Sequence, residues 1–169
     1  MSDPEQLTKL IQSFADLVDG VTPGARRYAP VVGQFGFGIS NAGGLSVVWV
    51  APGEPWFLTM TAGILHAVTN IPAALVWAND RNSKESFGRY YCSTPEQHPD
   101  YCNIVYQTSV YSAQFDEFQD AARNNAIDLL RLVVDVAEKV PPESLSTLPG
   151  QRFSDQDDDL NTLVAASFG

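Results

Sequence analysis

Histidine and cysteine are scarce in this chain of 169 residues, which has two of each. Cys92 and Cys102 cannot build a disulfide framework. In a reducing compartment they are expected to be free thiols. His66 and His98 leave little material for acid–base or nucleophilic chemistry. No Ser or Cys stands beside a His in a nucleophile motif, "GLSVV" is not a nucleophile elbow, and no phosphate-cradling P-loop is present. Basic charge is also short, with 10 Lys and Arg against 20 Asp and Glu, a net charge of −10. Four of those acids, Asp155, Asp157, Asp158 and Asp159, lie in residues 153–169 without a base, leaving 16 acids against 10 bases elsewhere. Such a surface repels nucleic acid and anionic membrane and favours basic or apolar partners. No apolar run approaches the roughly 20 residues that span a bilayer. The opening "MSDPEQLTKL" lacks the basic and apolar regions of a secretory leader. The expectation is a cytoplasmic protein that binds neither nucleic acid nor membrane.

Apolar residues make up 44% of the chain, enough for one domain with a real core. Residues 4–19 place Leu7, Leu10, Ile11, Phe14, Leu17 and Val18 on one helical face, and Gly20 suits the end. "VTPGARRYAPVVG" reads as a loop. "QFGFGIS", "LSVVWVA" and "PWFLTMTAGIL", split by turn-forming residues, read as an antiparallel meander. A second helix opens with Asn70 as cap and Pro72 in its first turn. "FGRYYCS" and "CNIVYQTSVYS" then read as two strands joined by a loop. Residues 115–140 carry the strongest helical stripe, and Ile127, Leu130 and Val134 widen it beyond one contact surface. That surplus suits either deep burial or an interface. The order α-β-β-β-α-β-β-α predicts an α+β domain over residues 1–149, with an antiparallel sheet of about five strands. Residues 150–169 form an acidic-amphipathic tail, either a short helix capped by Ser154 or disordered on its own.

Several short patterns invite a chemical reading. The close glycines of "GQFGFG" lie inside an alternating strand, so Gly36 and Gly38 read as places where something packs on the backbone. Cys92, His98 and Cys102 follow C-x5-H-x3-C, which matches no common zinc pattern, and two cysteines facing across a hairpin fit better. "DQDDD" lacks the glycine turn of a calcium loop and suits the positive end of a helix. "NDRN", residues 79–82, closes an apolar helix. Its amides are not acids or bases near neutral pH. Asn79 and Asn82 therefore read as structural residues that satisfy helix-end carbonyls or a neighbouring strand edge. No catalytic residue, metal ligand or cofactor is assigned.

"LVWANDRN" followed by "FGRYYC" resembles the helix-to-strand passage of the YbjN-like family, on Asn79, Asn82, Phe87, Gly88, Arg89 and Tyr90. "IVYQTSVY" and the long helix after it fit as well, so the resemblance covers roughly residues 5–140. It implies the fold of type III secretion chaperones, which are small, acidic and usually dimeric, and bind extended segments of other proteins without ATP.

The expected function is therefore a non-enzymatic, chaperone-like module for a protein or peptide client, present as a homodimer. Candidate contacts are Phe35, Phe37, Val47, Trp49 and Met60 on the sheet, with Leu130 and Val134 on the long helix. A core role suits each of the sheet residues better than a contact role. Two alternatives remain: a small-molecule pocket lined by Trp49, Trp56, Trp77, Tyr90 and Tyr106, and a regulatory protein working through its acidic tail.

Overall fold

The computed structural model describes residues 4–22, 25–28, 35–51, 57–85, 87–111, 120–154 and 156–168. Helix α1 (Pro4–Val21) is followed by strands β1 (Arg26–Tyr28), β2 (Gly36–Asn41), β3 (Gly44–Ala51) and β4 (Phe57–Val68). Helix α2 (Ile71–Asn82), strands β5 (Arg89–Ser93) and β6 (Cys102–Tyr111), and helices α3 (Asp120–Ser144) and α4 (Asp157–Phe168) are the remaining elements among the described residues. The strands form one antiparallel sheet in the order β1-β2-β3-β4-β6-β5. The fold class is α+β, as the sequence predicts, with six strands where about five were expected. The extra strand, β1, falls in the stretch read as a loop. Three residues at a sheet edge are too few for an alternation signal.

Alternation along the strands sorts side chains onto two faces. Phe37, Ile39, Val48, Val50, Leu58, Met60, Ile104 and Tyr106 meet α1, α2 and α3 in the larger core. Leu45, Val47, Trp49 and Val105 point the other way and pack on Phe153 and α4. The sheet is thus covered on both sides, and the C-terminal tail supplies the second cover.

Turn chemistry sets the hairpins. The β2–β3 turn places Ala42 and Gly43 at φ of 49° and 81° between paired Asn41 and Gly44, the pattern of a two-residue type I′ turn. The register slips between Leu65 and Val68, where Ala67 has φ 57° and its N–H donates to the Asn103 Oδ1 at 3.2 Å. This bulge bends the long strand β4 into α2. Asn70 caps α2 by accepting from the Ala73 N–H at 3.2 Å.

Helix α3 runs past the expected end at Val140 through Pro141 and Pro142. Pro141 has no N–H for the Ala137 carbonyl. That carbonyl faces Gly44 of β3 so closely that a Cβ there would lie 2.6 Å from its oxygen. The helix then closes on itself, with the Leu148 N–H donating to Ser144 O at 2.9 Å and Ser144 Oγ to Pro141 O at 2.9 Å. The predicted start of this helix, residues 115–119, lies outside the described residues.

Candidate functional site

The end of α2 is a fastening point between helix and sheet. The Asn82 Nδ2 donates to Tyr90 O at 2.8 Å, and the Tyr90 N–H donates to Asn82 Oδ1 at 2.6 Å. One carboxamide thus satisfies both backbone groups of a residue in the terminal strand. Asn79 behaves differently: its side chain is exposed, and its carbonyl accepts the Ser83 N–H at 3.2 Å. Asp80 pairs with Lys84 in solvent at 2.9 Å.

Arg81 lies over the rings of Trp77 and Tyr90, at 5.6 and 5.5 Å from their centroids. It reaches the Glu143 carboxylate at 3.1 Å and Glu85 at 4.0 Å. Partial burial opposes its charge, but the Tyr90 hydroxyl and the two carboxylates outweigh that and hold its pKa above the ordinary value. Tyr90 packs edge-on against Trp77 at 5.3 Å and tilted on Tyr106 at 4.9 Å. Burial raises the Tyr90 pKa, against the pull of Arg81. Burial, with Glu85 and Tyr90 nearby, pushes Tyr106 up to about 12. The Tyr106 hydroxyl donates to the Phe87 carbonyl, and Gly88, at φ 65°, lies against its ring. Burial favours the neutral form of both tyrosines, while the Tyr90 Oη and the Arg81 Nε are buried without a hydrogen-bond partner.

The candidate contact residues are mostly interior. Phe37, Met60, Leu130 and Val134 are buried in the larger core, and Phe35 packs half-buried against it. Val47 and Trp49 are buried under α4. The described part of the α3 stripe, Leu130, Val133, Val134, Val136, Ala137 and Val140, is buried within its own chain, because α3 lies across β3, β4 and β6 with α1 beside it. None of these buried side chains meets a partner unless a covering helix moves. The proposed aromatic pocket is also divided: Trp77, Tyr90 and Tyr106 fill one side of the sheet, Trp49 faces the other, and Trp56 lies outside the described residues.

Cys92 and Cys102 are free thiols. Cys92 stands opposite Ile104 and Cys102 opposite Val68, so the two are diagonal neighbours rather than a facing pair. The neighbouring Cys102 sulfur, together with burial, pushes the Cys92 thiol well above its ordinary pKa, and the same neighbour contact lowers that of Cys102. His98 is exposed and stacks on Tyr101 at 5.2 Å. Among the described residues no three His, Cys, Asp or Glu side chains gather at metal-binding distance.

Two surface features were not foreseen. Leu75 and Val76 of α2 are 49% and 70% exposed. Beside Val76 lies an apolar groove of about 460 Å³, lined by Pro72, Ala73, Trp77, Asp80, Thr147 and Leu148. The signal was available in the sequence, because "IPAALVWA" is apolar on all sides, more than one buried face requires. The other feature is a more polar cleft of about 520 Å³ between the β5–β6 loop and α4, with His98, Tyr101, Asn103 and Thr162 in its lining. It depends on the seating of α4, which the sequence left open.

A two-sided α+β sheet with this strand order defines a fold rather than a reaction. Among solved structures the chain is similar to YbjN from E. coli, described as a candidate transcription regulator. The TM-score is 0.56 at 10% identity, covering 83% of this chain and 96% of that one. The likeness is one of fold. No protein-family model and no curated protein matches the sequence. Among the described residues no helix is long and apolar enough to cross a membrane.

Proposed function

We propose that this chain is a non-enzymatic protein-binding module, chaperone-like in the sense that it holds a segment of another protein, and that it works as a homodimer. One observation carries this reading: the apolar strip of Leu75 and Val76 with its adjoining groove. Exposed apolar side chains on a rigid helix, rimmed by Asp80, Arg81 and Lys84, suit a partner of mixed charge. The net charge of −10 argues against the phosphate contacts of a nucleic-acid binder. A regulatory role, such as the one suggested for YbjN, would then act through protein contacts.

The test is Val76→Asp, assessed by light scattering and by capture of native proteins. At 70% exposure the change leaves the core intact. The expected result is lower oligomer mass or loss of client with an unaltered melting temperature. If the unaltered chain is monomeric at tens of micromolar and the variant captures the same proteins, this reading fails. A second reading, small-molecule binding, rests on the cleft at His98 and Tyr101. A metabolite that raises the melting temperature of the chain, but not of Tyr101→Ala, would favour it.

A further inference from the structure

Helix α4 covers a surface shaped to receive a helix. Leu163 is fully buried, Leu160 and Ala166 nearly so, and Val164 is half-buried. They rest on Leu45, Val47, Trp49 and Val105, a small core separate from the main one. The floor is cut away where the cover approaches most closely. A Cβ on Gly38 would lie 2.7 Å from Leu160 Cδ1, and one on Gly63 would lie 2.7 Å from the Phe153 ring.

The polar fastenings are few and peripheral. Tyr91 Oη donates to Ala166 O at 3.0 Å, and Gln107 Nε2 to Ser167 O at 3.3 Å. At the other end Asp159 accepts from Ser154 N and Oγ at 2.6 and 2.7 Å and lies 3.8 Å from His66 Nε2. The His66 Nδ1 is buried without a partner. A helix of 12 residues is marginal alone, so its order depends on this seat. The main core, meanwhile, is closed by α1, α2 and α3 without α4.

We propose that the sheet face beneath α4 is a binding surface for an amphipathic helix of a partner protein, kept closed by α4 as an internal substitute. This rests on the protein-binding reading and adds a second surface to it. The fitting partner carries the pattern of α4: leucines three apart, a small residue three further on, and an acidic first turn set toward His66. Opening releases α4 and exposes Trp49, which reports the change.

The probe is a fluorescein-labelled peptide of residues 154–168, titrated into the full chain and into the full chain carrying Leu160→Asp and Leu163→Asp. The variant is expected to bind at least ~10-fold more tightly, because the tethered copy no longer competes. A peptide carrying the same two changes should bind neither chain. A folded variant that does not bind the peptide overturns the proposal. So does a wild-type dimer that is lost in the variant, which would assign the face to a second copy. If the variant fails to fold, hydrogen exchange on the unaltered chain decides. Amides of α4 exchanging at least ~100-fold faster than those of β4 support a separable cover, and equal rates overturn it. Client capture lost on Val76→Asp is read independently, so this surface can fail while the module stands.

Discussion

Asn79 and Asn82 stand three residues apart on one helix, and only Asn82 is fastened by its side chain. Asn82→Ala removes two hydrogen bonds from the Tyr90 backbone and is expected to cost about 1–3 kcal/mol in chemical denaturation. Asn79→Ala, at an exposed position, should change stability by less than about 0.5 kcal/mol. Equal losses would contradict this account. The sequence pointed to both amides as structural, but their difference depends on which one faces β5, and that is a tertiary fact. Ala42, at φ 49°, pays the left-handed penalty that Asn avoids, so Ala42→Asn should stabilise by roughly 0.5–1 kcal/mol. Tyr106 predicts an alkaline limit. Its folded pKa, about 12, lies above the ordinary tyrosine value, so the unfolded chain loses that proton first. Its contribution is complete below about pH 10 and is lost as pH rises toward 12, about 2–3 kcal/mol in all. Tyr106→Phe should be less stable at neutral pH and flatter over that alkaline range, as measured by denaturation at stepped pH.

Among the elements, legibility followed the length and regularity of the pattern. Helix α3 was readable because its stripe persists over many turns, and the Cys92 and Cys102 strands because turn residues bound them. Two things were not readable. Strand β1 holds only Arg26–Tyr28, and its pairing with Ser40, Ile39 and Gly38 is set by a partner distant in sequence. The place of the surplus apolar face of α3 depends on what α1 and the sheet cover, which periodicity cannot say. Leu130 decides between interface and core. It is buried among β-sheet and helix side chains, so Leu130→Asp should abolish the cooperative thermal transition rather than release a folded monomer. A folded, monomeric Leu130→Asp chain would return α3 to the interface. The alternating pattern marks Gly36 and Gly38 as close-packing positions, and the structure supplies their neighbours. Trp49 and the Val48 carbonyl crowd the first, Leu160 the second.

For the whole molecule, the sequence conveyed a layered α+β fold but not that its last segment forms a helix covering the second face of the sheet. A short amphipathic tail carries no address, and its seat is defined by the sheet. The candidate surfaces are the least legible part for the same reason. Exposure of Leu75 and Val76 follows from which face of α2 meets Ala74- and Ala78-level packing against β5, while Phe37, Trp49 and Met60, equally apolar in sequence, fall inside. One consequence of the Asn82 clasp reaches beyond the single molecule. Tyr90 lies in β5, the last strand of the sheet, and its clasped groups point away from β6. An open strand border offers a template on which further copies can add, strand upon strand, into fibres. The carboxamide occupies the slots that an incoming backbone would use, as a false neighbour one residue long. At the opposite border β1 is only three residues long, too short to seed such growth. Stored Asn82→Ala protein is therefore expected to form thioflavin-positive aggregates sooner than Asn79→Ala protein at matched concentration, and identical lag times would show that the border is guarded by something else.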